Sequence, residues 1–453
     1  MSIASIISAI GNNSSTYPLL LRDCGIEVPT KVVLTYNQNK KDKEVAKLAA
    51  RERLLDEYAT SAVWLGGIPL LDKIANKIIA KKGFNPSVNP KLFEEEKLQG
   101  LQYNIQKFKD KAPEAVKDLL KLSEKEAKKS YNRMLSLKIM FSTLIPIAFM
   151  GFILPKMIFA SSAKCIEKLK QERTLKNQPM TEPVMYPAFT ASKRDFFERY
   201  EAMPKGQNIS FSGFSAAKLS TVSTQDKMMI TDGGYTIGRI ATARKKNEAL
   251  DAGFRLSGMM FLNFVAPKWI EKGLNKLTGV ALDPLMLADG EFLKAAKNGT
   301  VKLPENNKPE TMMQFVDDNP DSLFVKFANK FNKVKMLKNG VRDPRIYVDF
   351  EKLGKFRDDI ENYLRKAGTS KSFEKYAKKA KILKSVDILA NVGISSFLLA
   401  YCLPKLTFAF RKLVTGSELE PGLAPDVQAA KLLMKTSAFC KNSPNTNRVI
   451  NIK

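Results

Sequence analysis

Residues 150–160 read MGFILPKMIFA, and residues 399–409 read LAYCLPKLTFA. The shared core, L-P-K-[ML]-x-F-A, recurs at a spacing of 249 positions. A long apolar stretch leads into each copy. Ile139 to Pro155 and Ile388 to Pro404 are each 17 residues without a charge. A helix that spans a bilayer needs about 20 apolar residues, with roughly 17 as the lower edge. Both stretches are therefore candidate transmembrane helices, with Lys156 and Lys405 placed to snorkel toward headgroups.

Two further matches lie upstream in the same order. LLDKIANKI (residues 70–78) aligns with WIEKGLNKL (residues 269–277) through acid-Lys-x-x-Asn-Lys. That motif places Asn76 and Asn275 at equivalent positions, with Pro69 and Pro267 just before. Asp23-Cys24-Gly25 aligns more weakly with Asp232-Gly233-Gly234. Ordered matches of this kind are the mark of an internal repeat. The offsets, 209, 199 and 249, place an insertion of about 50 residues in the second half.

The expected fold is mainly α and internally duplicated. Each half holds one short Gly/Pro-broken apolar helix, one long apolar helix and amphipathic basic helices. The expected organisation is an N-terminal lead-in (1–17), repeat 1 (18–173), a Pro/Ser/Thr-rich linker (174–226), repeat 2 (227–415) with an insertion at about 283–345, and a C-terminal tail (416–453). The short apolar segments, 58–71 and 256–267, carry Gly66 and Gly258 and the prolines that follow, which predicts weakened or kinked helices. Two arrangements fit these segments. In one, the apolar helices form a membrane-embedded bundle; in the other, they pair as buried hairpins in a soluble one.

The 453 residues carry 74 Lys plus Arg against 46 Asp plus Glu, a net charge of +28. The excess is spread along the chain, which favours an anionic surface over one docking patch. Residues 72–138 carry +7, residues 156–255 carry +7 and residues 268–387 carry +8, so charge along the chain does not sort the connections into two sides. There is no histidine, which removes His-based acid/base catalysis and His-ligated metal. Cys24, Cys165, Cys402 and Cys440 are far apart and fit a reducing compartment.

No P-loop, Rossmann or zinc-protease motif is present. The S-x-x-K matches at Ser161–Lys164 and Ser215–Lys218 lack their companion motifs. Glu94, Glu95 and Glu96 read as a solvated first helical turn rather than a metal site. Asp23 and Asp232, each beside glycine, read as turn or N-cap residues. The expectation is a non-enzymatic, membrane-associated structural or interaction protein without cofactor or metal, facing the cytoplasm. Anionic lipid is its expected partner, and a protein partner is a further one. The alternatives are a transporter or pore built from a duplicated unit and a basic nucleic-acid binder, the last suggested by charge alone. The repeat positions most open to a functional role are Asp23, Asp232, Pro69, Pro267, Asn76, Asn275, Pro155, Lys156, Pro404 and Lys405.

Overall fold

The computed structural model describes residues 2–11, 20–175, 224–428 and 431. Among them the chain forms 14 helices and no strand. Most of the 174–226 segment, the second S-x-x-K match and Cys440 lie outside the described residues. Helix α1 is Ile3–Gly11. Helix α2 opens with a π turn, Leu21–Glu27, and continues as Val28–Gln38. Helix α3 joins Lys43–Ala62, a π turn at Val63–Gly67, and Ile68–Lys81. The short α4 (Leu101–Phe108) and α5 (Pro113–Lys121) follow. Helix α6 joins Lys125–Ala148, a π turn at Phe149–Ile153, and Leu154–Leu175.

The second half begins with α7 (Thr224–Ala241) and α8 (Lys246–Phe264). Helix α9 (Ala266–Thr278) continues α8 after a break at Val265. Next come α10 (Gly290–Lys297), α11 (Pro309–Asp318), α12 (Leu323–Lys330) and α13 (Phe350–Gly368). Helix α14 joins Phe373–Phe397, a π turn at Leu398–Cys402, and Leu403–Thr415. Caps set several of these boundaries. Asp42 accepts from the Glu44 and Val45 amides to open α3, and Ser372 caps α14. Gly279 and Gly416 end α9 and α14 at φ +69° and +68°, the left-handed conformation that glycine adopts freely.

Pairing within each half is antiparallel. The C-terminal half of α3 packs on the start of α6, and its N-terminal half packs on the end of α6. Helices α8 and α9 cross α14 in the same way. Helix α2 lies on α3, and α7 lies on α8. The halves then exchange contacts, with α7 against the π turn of α6 and α2 against the π turn of α14.

Each π turn comes just before an X-Pro step: Pro29, Pro69, Pro155 and Pro404. Proline removes a helical N–H, and its ring collides with the carbonyl four residues back. The extra residue of a π turn makes room for that carbonyl. The residue before each proline donates five back instead, as from Leu154 to Phe149 and from Leu403 to Leu398. The carbonyl displaced by Pro155 belongs to Gly151 and accepts the Thr242 hydroxyl at 3.2 Å. So the short helix at 58–71 is not broken at Pro69 but bulges and continues. At Pro267 the chain does break, at Val265, where φ is −104°.

A helical cap covers one end of the bundle. Its main core joins α10 to α13 through Phe292, Met312, Phe324, Leu353 and Ile360. Residues 82–124 from the first half lock onto it. Gln99 exchanges two hydrogen bonds with the Val348 backbone, and Asn104 donates to the Pro344 carbonyl at 3.1 Å. Arg345 reaches Asp118 at 2.9 Å. Glu94, Glu95 and Glu96 are exposed but follow a 3-10 turn, so the expectation of a helical first turn is corrected; Pro113, not this run, opens the next proline-started helix. Asp23 and Asp232 are likewise not caps. Both sit inside helices, and beyond Asp232 the bare Gly234 lets α7 press against Ile147 of α6.

Gly151 of α6 and Gly238 of α7 bring two helix backbones into direct contact. A Cβ on Gly238 would lie 2.7 Å from the Gly151 Cα, whereas a Cβ on Gly273 meets nothing within 4 Å. Gly238→Ala is expected to destabilise by about 1–3 kcal/mol. Gly273→Ala is expected to stabilise by about 0.5–1 kcal/mol through helix propensity. Thermal unfolding of both variants checks the pair; equal effects would mean that the glycine contact does not constrain the bundle.

Candidate functional site

The cap and the bundle have opposite polarity. Of 40 exposed large apolar side chains among the described residues, only Leu120 belongs to the cap. The rest lie on α1 and the outward faces of the bundle, such as Leu144 and Ile145 on α6, Ile237 on α7 and Leu389 on α14. Conversely, 20 of 25 buried polar or charged side chains are in the bundle. Soluble helices normally show the reverse.

Residues 52–58, ERLLDEY, show how this arises. Leu54, Leu55 and Tyr58 are each 40% exposed, while Arg53 and Asp56 are buried. Around them the acids and bases of α2, α3, α7, α8 and α14 meet. Lys31 contacts Glu27 at 2.5 Å and Glu57 at 3.4 Å. Arg53 and Arg255 also face Glu57, at 3.4 and 3.7 Å. Arg239 binds Asp56 at 2.9 Å, linking α7 of the second half to α3 of the first. Arg244 bridges Glu52 and Glu248 at 3.1 and 2.8 Å, with its guanidinium over the Phe159 ring.

At the end of the bundle away from the cap, Arg411 is fully buried. It makes two 3.0 Å hydrogen bonds to Asp251 and a 2.9 Å ion pair to Glu420. Burial pushes the Glu420 carboxyl up, but Arg411, Arg53 and Arg244 more than offset it and hold the group below its ordinary value. Half-buried Glu418 is lowered too, by hydrogen bonds from Lys412 and Lys41. These contacts tie the chain after α14 back to the start of α3.

Several buried polar atoms in the middle of this network have no hydrogen-bond partner: Asp56 Oδ1, Arg239 Nη1, and Arg255 Nε and Nη1. All three residues line one cavity of about 30 Å³, together with Glu52, Glu248 and Glu420. That is room for a water molecule or two. No group of three metal-ligating side chains occurs among the described residues.

Of the repeat positions read from sequence, Asp23 and Asp232 fall beside this network. Asp232 is buried and feels the charges of Asp23, Glu27 and Lys31, so the two aspartates share one region. Pro69, Pro155 and Pro404 shape the π turns; Pro267 follows the break, and its carbonyl accepts from Asn391 at 3.4 Å. Asn275 accepts from the buried Lys384 at 2.6 Å, and Thr278 donates to Asp387 at 2.6 Å. Asn76 occupies the matching inward position on α3, while the motif lysines face outward. Lys156 and Lys405 are exposed on the outer faces of α6 and α14.

Sequence reading missed Glu27, Lys31, Arg53, Asp56, Arg239, Arg255 and Arg411. An amphipathic pattern does not say which face is buried. The signal available was the glycine run on α7, Gly233, Gly234 and Gly238, which marks a closely packed helix. No family model, curated protein or solved structure matches the chain.

Removing one partner of a buried ion pair costs about 3–5 kcal/mol. Arg411→Met is expected to lose that much in chemical denaturation, and Asp251→Asn with Glu420→Gln added to it should recover part of the loss. Because the Glu420 carboxyl is lowered in the fold, its contribution is complete above the ordinary value of 4.5. It is lost as pH falls below that, through the lower folded value. Hydrogen exchange at residues 419–427 should therefore accelerate below about pH 4.5 in the native chain, and Arg411→Met should flatten that profile.

Proposed function

We propose that the protein is an integral membrane protein whose bundle sits in the bilayer and carries the helical cap on one face. The single observation behind this reading is the reversed polarity of the bundle, with apolar side chains outward and charges inward. In lipid, ionisable side chains face the interior and pair with one another. In water, so extended an exposed apolar surface would drive aggregation. Two helices are long and apolar enough to cross, Lys125–Lys168 and Phe373–Thr415, and only 39% and 33% of their most apolar stretches are buried. A soluble core helix would be mostly buried. On α6 the exposed apolar side chains run from Leu137 to Met157, about 30 Å of helix, which matches a hydrocarbon core.

The packing also supports a duplicated unit. Helices α2, α3 and α6 follow one order and direction, and α7, α8–α9 and α14 repeat it, with matching π turns before Pro155 and Pro404. Parallel repeats of this kind relate the halves by an axis along the membrane normal. Both strongly basic connections, 72–138 and 268–387, then lie at the cap end. Residues 156–255, which connect the bundle at its other end, carry +7 as well, so charge alone does not orient it. The role that follows is structural or interactive, and non-enzymatic.

A second reading, transport, is favoured by the cavity at the contact between the halves. Broken helices and buried charges at such a contact are the sequence and structural pattern of many transporters.

Alkaline carbonate extraction tests the first reading. The protein should remain in the membrane pellet; its release into the supernatant would overturn the embedded bundle. For transport, flux of a charged solute into proteoliposomes should be present and should fall with Arg239→Gln. Flux equal to that of empty liposomes would leave the scaffold role alone.

A further inference from the structure

We infer that two lysine stripes, one on each half, bind the headgroups of anionic phospholipid at the cap-side leaflet. The inference rests on the membrane reading above and names its lipid partner and the residues that hold it. On α3, Lys73, Lys77 and Lys81 recur every fourth residue and are exposed. Beside them run Leu70, Ile74 and Ile78, 57%, 47% and 53% exposed. On α9, Lys268, Lys272 and Lys276 repeat that spacing and are exposed. Trp269 and Leu277, 64% and 83% exposed, run beside them.

Spacing of four places side chains one above another on a helix. Each helix therefore presents a cationic stripe next to an apolar one. The motif asparagine faces the opposite way: Asn76 is partly buried beside a partly buried Asp72, and Asn275 holds Lys384, whereas the acid of the second copy, Glu271, is exposed. Among the described residues none of the six lysines has an ion-pair partner, although 25 ion pairs occur elsewhere. A solvated lysine face alone would not single out lipid. Here the cationic stripe adjoins apolar surface on the same helix, at the cap end of the apolar belt. The ligand must join negative charge to hydrocarbon at adjacent depth, and anionic phospholipid does so. Nucleic acid would meet the lysines but leave Trp269 and Leu277 in water. Trp269, edge-on to Phe261 at 5.5 Å, is placed where interfacial tryptophans gather.

The test reconstitutes the full chain into nanodiscs of phosphatidylcholine mixed with phosphatidylglycerol and reads retained lipid by native mass spectrometry. The native chain should enrich phosphatidylglycerol. The variant K73Q/K77Q/K81Q/K268Q/K272Q/K276Q should lose that preference by roughly tenfold or more. A control on the cap, K326Q/K330Q/K338Q, should keep it. A six-lysine variant that still resists carbonate extraction and still enriches the anionic lipid would overturn the inference while leaving the membrane reading intact. A native chain that carbonate strips from membranes would overturn the membrane reading itself, and the lipid site with it.

Discussion

In the bundle, charges meet one another rather than water. Arg411 is held between Asp251 and Glu420, Arg239 reaches across to Asp56, and Arg244 joins Glu52 to Glu248. The Arg411–Asp251, Arg239–Asp56 and Arg244–Glu52 contacts join elements distant in sequence, and each buried charge would be costly alone. The network therefore fixes which faces of α2, α3, α7 and α8 turn inward. Once those faces are inward, the leucines and isoleucines of the same helices have nowhere to go but outward. The apolar belt follows from the ionic interior, and both follow from helices whose two faces are equally well defined.

The second constraint is the backbone. A proline in a long helix leaves a carbonyl to be satisfied, and inside a tightly packed bundle water is scarce. The π turns before Pro29, Pro69, Pro155 and Pro404 solve this without ending the helix. At Pro155 the displaced Gly151 carbonyl is taken by Thr242, next to the Gly151–Gly238 approach. One short segment thus serves backbone satisfaction and helix packing together. The L-P-K stretches stand at these points, which gives a physical reason for their resemblance to each other.

Much of the helical architecture was legible from the residues. The two long apolar helices and the Gly/Pro-interrupted short ones leave strong local signals: uncharged runs, periodicity and punctuation. The charge network was not legible. In ERLLDEY the leucines and the acids occupy opposite faces with equal clarity, and only the partners supplied by α7, α8 and α14 decide which face is inside. Asp232 was misread for a related reason. Asp-Gly-Gly is turn chemistry when solvated, yet here it lies mid-helix, with Ile147 filling the space beside Gly234. The acid-Lys-x-x-Asn-Lys motif was seen but not its division of labour, with asparagine inward and lysine outward.

The central claim is that the outer faces of the bundle contact lipid while the cap contacts water. Nitroxide labels on single cysteines at Ile145, Ile237 and Leu389, in a background without the native cysteines, measure this directly after reconstitution. The account predicts that all three labels collide with oxygen far more than with a water-soluble nickel chelate, and that a label at Lys326 on the cap shows the reverse. Equal access of the chelate to the bundle and cap positions would contradict it.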